Sequence, residues 1–152
     1  MILKRILLIF LLLAISKFSH TPHLKVTDPS SWTNSSVWDY HATLWSILRP
    51  GSEFYNSYTY GFNVEFILRK IAHLSFFGML GLLFYLNFTN KEKYRYIKAW
   101  GCAAVFSLVD EIHQAFIVGR DGRIFDVMID SIGAAIILFL LFLSTRNRPT
   151  KK

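Results

Sequence analysis

Residues 110–133 read DEIHQAFIVGRDGRIFDVMIDSIG, a stretch that places acidic and basic side chains among apolar ones. Apolar runs flank it on both sides, at residues 99–109 and 134–143. The pattern predicts two apolar helices that meet at a tight turn over residues 119–123, with acidic side chains and a histidine beside the turn. Ionisable groups inside a membrane helix are costly, and they mark a functional site by default. The stretch therefore predicts a polar site between two helices.

The composition indicates an integral membrane protein of one domain. The chain has 152 residues, of which 53% are hydrophobic and 16% aromatic. Its apolar residues run nearly unbroken in four blocks of about 17–25 residues, the length that crosses a bilayer as a helix. A soluble domain would instead show polar faces at a helical or strand period. We therefore predict an all-α integral membrane protein that forms a four-helix transmembrane bundle.

The net charge of +7 does not indicate nucleic-acid binding. Lys and Arg gather at the ends of the apolar blocks, and no basic face with stacking aromatic residues is present. The single cysteine, Cys102, excludes a disulfide framework and a cysteine metal site.

Residues 1–18 are predicted to form the first transmembrane helix. A short apolar core behind Lys4 and Arg5 is also typical of a secretory signal. No good small-x-small cleavage site follows, so we expect the segment to be retained.

Residues 19–63 are predicted to be an extracytoplasmic loop. Four of its residues recur at helical spacing: Trp38, His41, Trp45 and Leu48. This spacing favours a short interfacial helix, although a loop with interfacial aromatic residues fits equally well.

Residues 64–145 are the predicted core, with transmembrane helices at about 64–88, 99–118 and 124–143. Small residues on such helices let neighbouring backbones approach closely. Four glycines are therefore predicted packing positions: Gly78, Gly81, Gly101 and Gly133. Residues 146–152 form a basic tail, which we expect to be cytoplasmic.

The basic residues also predict the orientation. Ten of the 17 Lys and Arg residues lie in three segments, at residues 4–5, 91–98 and 146–152. With four spans these segments share one side of the membrane, which the positive-inside rule makes the cytoplasm. We expect a multi-pass protein of the cell membrane with cytoplasmic N- and C-termini.

Ionisable side chains on three helices fall in one layer beneath the outer surface. At the helical rise per residue, His73 lies about 13 Å from the start of the helix predicted at residue 64, and Asp130 lies about 9 Å from the start of the helix predicted at residue 124. Asp110 lies about 12 Å from the predicted end of its helix at residue 118. Residues four apart share a helix face, which pairs Asp110 with Gln114 and Asp126 with Asp130. The sequence therefore predicts one polar pocket that opens outward between these helices.

Catalysis and metal binding are both open for this pocket. Burial would shift the pKa values of its side chains so that they could act as general acids or bases. The candidate catalytic residues are His73, Asp110, Glu111, His113, Gln114, Asp126 and Asp130. Imidazole and carboxylate groups together suit zinc or manganese. A divalent metal is thus a candidate cofactor, although the chain has no dedicated metal motif.

Binding without chemistry is equally open. Arg holds a phosphate or carboxylate through two hydrogen bonds, and the candidate anion-binding residues are Arg69, Lys70, Arg120 and Arg123. The expected partners are membrane lipids, an anionic envelope lipid or cell-wall precursor, and a second copy of the chain. Transport of a small ligand or ion would use the same acids. A buried ion-pair network that only holds the helices together is a further alternative.

The ordered motifs resemble the VanZ-like family of bacterial membrane proteins. The resemblance covers about residues 64–143, and its motifs are Lys70-Ile71-Ala72-His73 with Phe77-Gly78, Asp110-Glu111-x-His113-Gln114, Gly119-Arg120, Asp126-Val127 and Asp130-x-x-Gly133. It implies a protein of the bacterial cell envelope. The family's namesake is linked to low-level resistance to the glycopeptide antibiotic teicoplanin, so the resemblance also implies a role in antibiotic resistance.

Overall fold

The computed structural model describes residues 2–58, 63–89 and 91–146. Within these ranges the chain forms five α-helices: α1 (Ile2–Ser19), α2 (Leu44–Leu48), α3 (Val64–Asn87), α4 (Arg95–Gln114) and α5 (Ile124–Arg146). Two 3₁₀ turns, Pro29–Thr33 and Glu53–Tyr55, lie in the loop between α1 and α3. No strand occurs in the described ranges, apart from two isolated β-bridges. The predicted all-α class is confirmed.

Helix α3 packs most closely against α5, and two glycines make this approach possible. A Cβ atom at Gly133 would overlap the backbone carbonyl of Leu74, and one at Gly78 would lie 2.8 Å from the Ile137 side chain. Both glycines are therefore packing positions, as predicted, and so is Gly81, whose Cβ would lie 3.1 Å from Ala134. The prediction for Gly101 is wrong, because no atom lies within 4 Å of a Cβ placed there.

Helix α1 lies against α3 and completes an apolar core. Leu11 and Ile15 of α1 pack on Phe77, Leu80 and Leu83 of α3, and all five are buried. Polar groups continue this contact at the end of α1, as described below. The four long helices thus form one packed bundle, while α2 belongs to the loop.

The third long helix is displaced from its prediction. We expected residues 99–118, whereas α4 spans Arg95–Gln114 and the chain then reverses. Glycine permits the reversal at two points: Gly119 has a left-handed φ of +79°, and a Cβ at Gly122 would overlap the carbonyl oxygen of Glu111. Because α4 ends at Gln114, Asp110 lies about 6 Å from the end of its helix at the helical rise per residue. This distance is half of the one that the sequence predicted.

The loop between α1 and α3 folds over this turn. Trp38 and Ile117 form an antiparallel bridge, with hydrogen bonds of 2.8 Å from Asp39 N to Phe116 O and 3.0 Å from Val118 N to Val37 O. The helix suggested by the spacing of Trp38 to Leu48 is therefore present only at Leu44–Leu48, where Thr43 caps it. The first part of that segment is extended because its backbone pairs with the turn.

Two of the four long helices, α3 and α5, are long and apolar enough to cross a membrane, among the residues that the structure describes. Helices α1 and α4 are not marked in this way, because the 18 residues of α1 include three charged side chains and α4 includes four, and neither helix has a long enough stretch free of them. Large apolar side chains of α1 and α5 remain on the outside of the bundle, Phe10 and Phe139 among them. This is the surface of a membrane protein. The basic tail predicted at residues 146–152 lies outside the described residues, apart from Arg146.

Candidate functional site

Four acidic side chains are buried where α3, α4 and α5 meet. We call them the acidic cluster, and its members are Asp110, Glu111, Asp126 and Asp130. None of them is more than 6% exposed. The first two lie in the last turn of α4 and the other two in the first turns of α5, so the chain reversal between these helices brings them together.

Asp126 is the member of the cluster that has a cationic partner from α3. Lys70 donates to its Oδ1 atom in a partly buried ion pair. Tyr58, from the loop, also donates to Oδ1 at 2.7 Å, and its ring lies 4.0 Å from the Lys70 ammonium. Burial and the adjacent Asp126 carboxylate raise the pKa of Tyr58, so the phenol remains a donor.

Asp130 lies between α3 and α4. Its Oδ1 atom is 3.1 Å from Nδ1 of His73, and its Oδ2 atom accepts a hydrogen bond of 2.6 Å from Ser107. Both Asp130 and Ser107 are fully enclosed, whereas the His73 side chain is 16% exposed. The imidazole is therefore the exposed end of this chain of contacts.

Glu111 is fully buried, and its hydrogen-bond donors are neutral. Its Oε1 atom accepts from Gln114 Nε2 at 3.0 Å, and its Oε2 atom accepts from the backbone N–H of Arg123 at 2.9 Å. Among the described residues it forms no ion pair with Lys or Arg. Glu111 thus holds the start of α5 against the end of α4.

Asp110 connects the cluster to α1. Its Oδ2 atom accepts hydrogen bonds from Ser19 Oγ at 2.6 Å and from Gln114 Nε2 at 2.9 Å. The predicted shared face of Asp110 and Gln114 is therefore a direct contact. Four helices supply the site, whereas the sequence had assigned it to three.

His113 does not join the acidic cluster. Its Nε2 atom lies 3.1 Å from Nδ1 of His20, whose Nε2 atom is 2.5 Å from Ser36 Oγ. Trp38 packs on the His113 ring with a centroid separation of 5.6 Å. The structure thus directs this predicted catalytic residue toward the loop, away from His73.

Arg120 has buried donor atoms that lack partners within the described part of the chain. Its Nη2 atom donates to Gln114 Oε1 at 2.5 Å. Its Nε and Nη1 atoms are buried and have no hydrogen-bond partner among the described residues. Burial lowers the pKa of Arg120 to about 10, which leaves the guanidinium charged at neutral pH.

A cavity of about 290 Å³ lies between α1, α3 and the loop, and we call it the groove. Apolar side chains form most of its wall: Ile15, Phe18, Leu24, Val26, Trp32, Ala72, Phe76 and Phe77. Its polar wall consists of Ser19, Arg69, His73, Asp110 and Arg120. Arg69 donates to the Leu24 carbonyl at 3.1 Å through Nη2. The groove therefore combines a mostly apolar wall with two arginines.

Arg123, the last of the predicted anion-binding residues, contacts the loop between α1 and α3. Arg123 is only 8% exposed, and its Nη1 atom donates to the carbonyls of Asn56 and Ser57 at 3.2 and 3.0 Å. It also lines a second, more polar cavity of about 370 Å³ beside α2, and Arg120 lines this cavity too. Arg123 thus fastens the loop to the turn.

Sequence reasoning did not identify Ser19, His20, Tyr58 or Ser107. A signal was present for Ser107, which precedes Asp110 by three residues and so shares its helix face. Ser19 and His20 directly follow the apolar run of α1. The position of Tyr58 depends on the fold of the loop, which residue spacing does not determine.

Only part of the predicted metal-ligand set comes together. His73, Glu111 and Asp130 each offer a ligand atom, and these atoms all lie within 4.8 Å of one another. Asp110, His113 and Asp126 do not belong to this group among the described residues.

One comparison with known proteins identifies relatives of the chain. The model of the VanZ/LLP1 family matches residues 5–145, which include α1 and the loop as well as the region that carries the motifs. No curated protein and no solved structure shows significant similarity. The match covers nearly the whole chain and agrees with the order of the polar motifs on α3, α4 and α5, so the protein belongs to the VanZ/LLP1 family.

Proposed function

We propose that the protein binds an amphiphile with a phosphate or carboxylate head in the groove. The observation that carries this proposal is Arg120, which lines the groove and whose Nε and Nη1 atoms are buried and have no partner among the residues that the structure describes. Buried donors without acceptors cost free energy. Oxygen atoms of an anionic head group would accept from both nitrogens and remove that cost.

The two arginines of the groove supply an anion site. Within the described ranges, Arg69 donates one side-chain hydrogen bond, to the Leu24 carbonyl, and Arg120 donates one, to Gln114. Each guanidinium has five N–H donors, so both retain capacity for a ligand. Hydrogen bonds between guanidinium and phosphate or carboxylate are about twice as strong as neutral ones. The carboxylate of Asp110 in the same wall favours a head group that also carries a hydroxyl or amine donor.

The apolar wall suits the tail of the same molecule. Phe18 and Phe76 stand on neighbouring helices, with ring centroids 6.5 Å apart, and Trp32 closes the loop side with its ring 5.8 Å from that of Phe18. A mostly apolar cavity with a few convergent polar groups is the usual form of a small-molecule site. A lipid would satisfy both halves of this groove.

The proposal includes an orientation and a cellular role. With α1, α3, α4 and α5 all crossing the membrane and both termini in the cytoplasm, the groove belongs to the outer leaflet. An envelope lipid or a cell-wall precursor on a lipid carrier has the required chemistry. Sequestering or modifying such a molecule would alter sensitivity to teicoplanin, in keeping with the family's namesake.

Native mass spectrometry of the purified full-length protein tests the proposal. Phosphatidylglycerol is the anionic probe and phosphatidylcholine the zwitterionic one, and Arg120→Gln is compared with Arg49→Gln, an exposed arginine outside the groove. We expect wild type and Arg49→Gln to prefer the anionic lipid. A charged hydrogen bond contributes about 1.5–3 kcal/mol, so Arg120→Gln should bind it about 10–150-fold more weakly. Equal binding by both variants would contradict the proposal.

A further inference from the structure

We infer that His73, Glu111 and Asp130 form a binding site for one divalent metal ion of the zinc or manganese class. The three residues come from α3, α4 and α5, and their ligand atoms lie within 4.8 Å of one another. Imidazole with carboxylates is a donor set that suits these ions. This site goes beyond the proposed lipid binding and does not depend on it.

The charges around the site favour a cation. Glu111 and Asp130 are 0% and 1% exposed, and neither forms an ion pair with Lys or Arg within the described ranges. Among the residues that the structure describes, the basic side chain that contacts either of them is the imidazole of His73, at 3.1 Å from Asp130. Burying carboxylates is unfavourable unless they are paired with opposite charge or bound to a metal. A divalent ion between the two carboxylates would supply the missing positive charge.

Neighbouring donors already orient the carboxylates. Ser107 binds Oδ2 of Asp130 and leaves Oδ1 facing the imidazole. Gln114 and the Arg123 backbone hold the two oxygen atoms of Glu111, each of which keeps a second lone pair for a metal. Residues that hydrogen-bond the ligands in this way fix their orientation in metal sites. Three protein ligands would also leave a position for water or a bound head group.

The site has a path for entry. His73 lines the groove and is the ligand with the most exposure, with 16% of its side chain accessible. An ion can therefore arrive through the groove and meet the imidazole first. The other two acids of the cluster are not part of this group of close ligand atoms among the described residues, and Asp126 is already paired with the Lys70 ammonium. Glu111 and Asp130 are therefore the carboxylates that share the site with His73.

The test is metal content of the tag-free, full-length protein in detergent. The protein is stripped with a chelator, incubated with Zn²⁺ or Mn²⁺, passed over a desalting column and measured by elemental mass spectrometry. We expect one equivalent per wild-type chain. His73→Gln and Asp130→Asn should weaken binding by about tenfold or more, since even residues that only hydrogen-bond metal ligands have effects of 10–100-fold.

His113→Gln is the matched control, because it changes a partly buried histidine that pairs with His20 and lies outside the group. It should retain the wild-type metal content. Size-exclusion elution checks that each variant is folded. Of the two ligand variants, His73→Gln should disturb folding less than Asp130→Asn, because the side chain at residue 73 reaches the groove. Wild type without metal would overturn the inference, and so would full metal content in a folded His73→Gln protein.

Discussion

The ion pair between Lys70 and Asp126 allows a quantitative test of how the bundle is held together. Its two side chains are 15% and 9% exposed. Replacing Lys70 with Met keeps a similar shape and leaves the Asp126 charge with Tyr58 as its remaining side-chain donor. Replacing Asp126 with Asn leaves the ammonium unpaired in the same way. The double replacement leaves neither charge behind.

The expected magnitudes differ sharply between these variants. Removing one partner of a buried pair costs about 3–5 kcal/mol, whereas replacing both is often neutral or stabilising. A change of 1 kcal/mol shifts Tm by about 2–4 °C in a protein of this size. Each single variant should therefore melt about 6–20 °C below wild type. The double variant should melt close to wild type, which is a strongly non-additive result.

Thermal unfolding in detergent, followed by tryptophan fluorescence, measures all four proteins of this cycle. The chain has four tryptophans, of which Trp38 pairs with Ile117 in the turn between α4 and α5 and reports on the unfolding of that turn. The decisive quantity is the difference between the double variant and the sum of the singles. Additive losses would show that the two charges do not depend on each other, and the reasoning would be refuted.

Three further predictions test other parts of the structure. Gly133→Ala should destabilise the bundle by about 1–3 kcal/mol through overpacking. Its control is Gly101→Ala, which has open space around it and should be neutral or gain up to about 1 kcal/mol of helix propensity. Equal melting temperatures for the two variants would contradict the packing of α3 on α5. Ser19→Ala removes the donor from α1 to the acidic cluster and should cost about 1.5–3 kcal/mol, and an unchanged Tm would show that α1 is not fastened there. In a background without the native cysteine, a membrane-impermeant thiol reagent should label Asp121→Cys on whole cells and spare Lys93→Cys, and the reverse pattern would contradict the proposed orientation.

Hydropathy predicted α3 and α5, each of which contains an apolar stretch long enough to cross a membrane. The bounds of α3 and the start of α5 agree with the sequence because an asparagine cap begins α3 and a Gly-rich turn precedes α5. The end of α4 was misplaced because its apolar run continues through Ile117, which is 2% exposed. Ile117 is buried because its backbone pairs with the loop. A run of apolar residues looks the same in the sequence whether it is buried by the loop or within a helix.

The candidate site was predicted in part for a similar reason. Residues four apart on one helix share a face, so the contact of Asp110 with Gln114 followed from spacing alone. The contacts that cross from one helix to another depend on how the chain is arranged in space. Ser19 and Asp110 are separated by 91 positions, and His113 faces His20 because the end of α1 meets the end of α4.

The same ion pair also sets an order of events during biosynthesis. Asp126 follows Lys70 by 56 positions. At about 5–20 residues per second of synthesis, the lysine of α3 waits about 3–11 s before its partner has been made. During that interval the nascent chain carries an unneutralised charge in a segment destined for the membrane. The Lys70 charge is therefore paired only once α5 has been made, so the ion pair between α3 and α5 forms late in the synthesis of the chain.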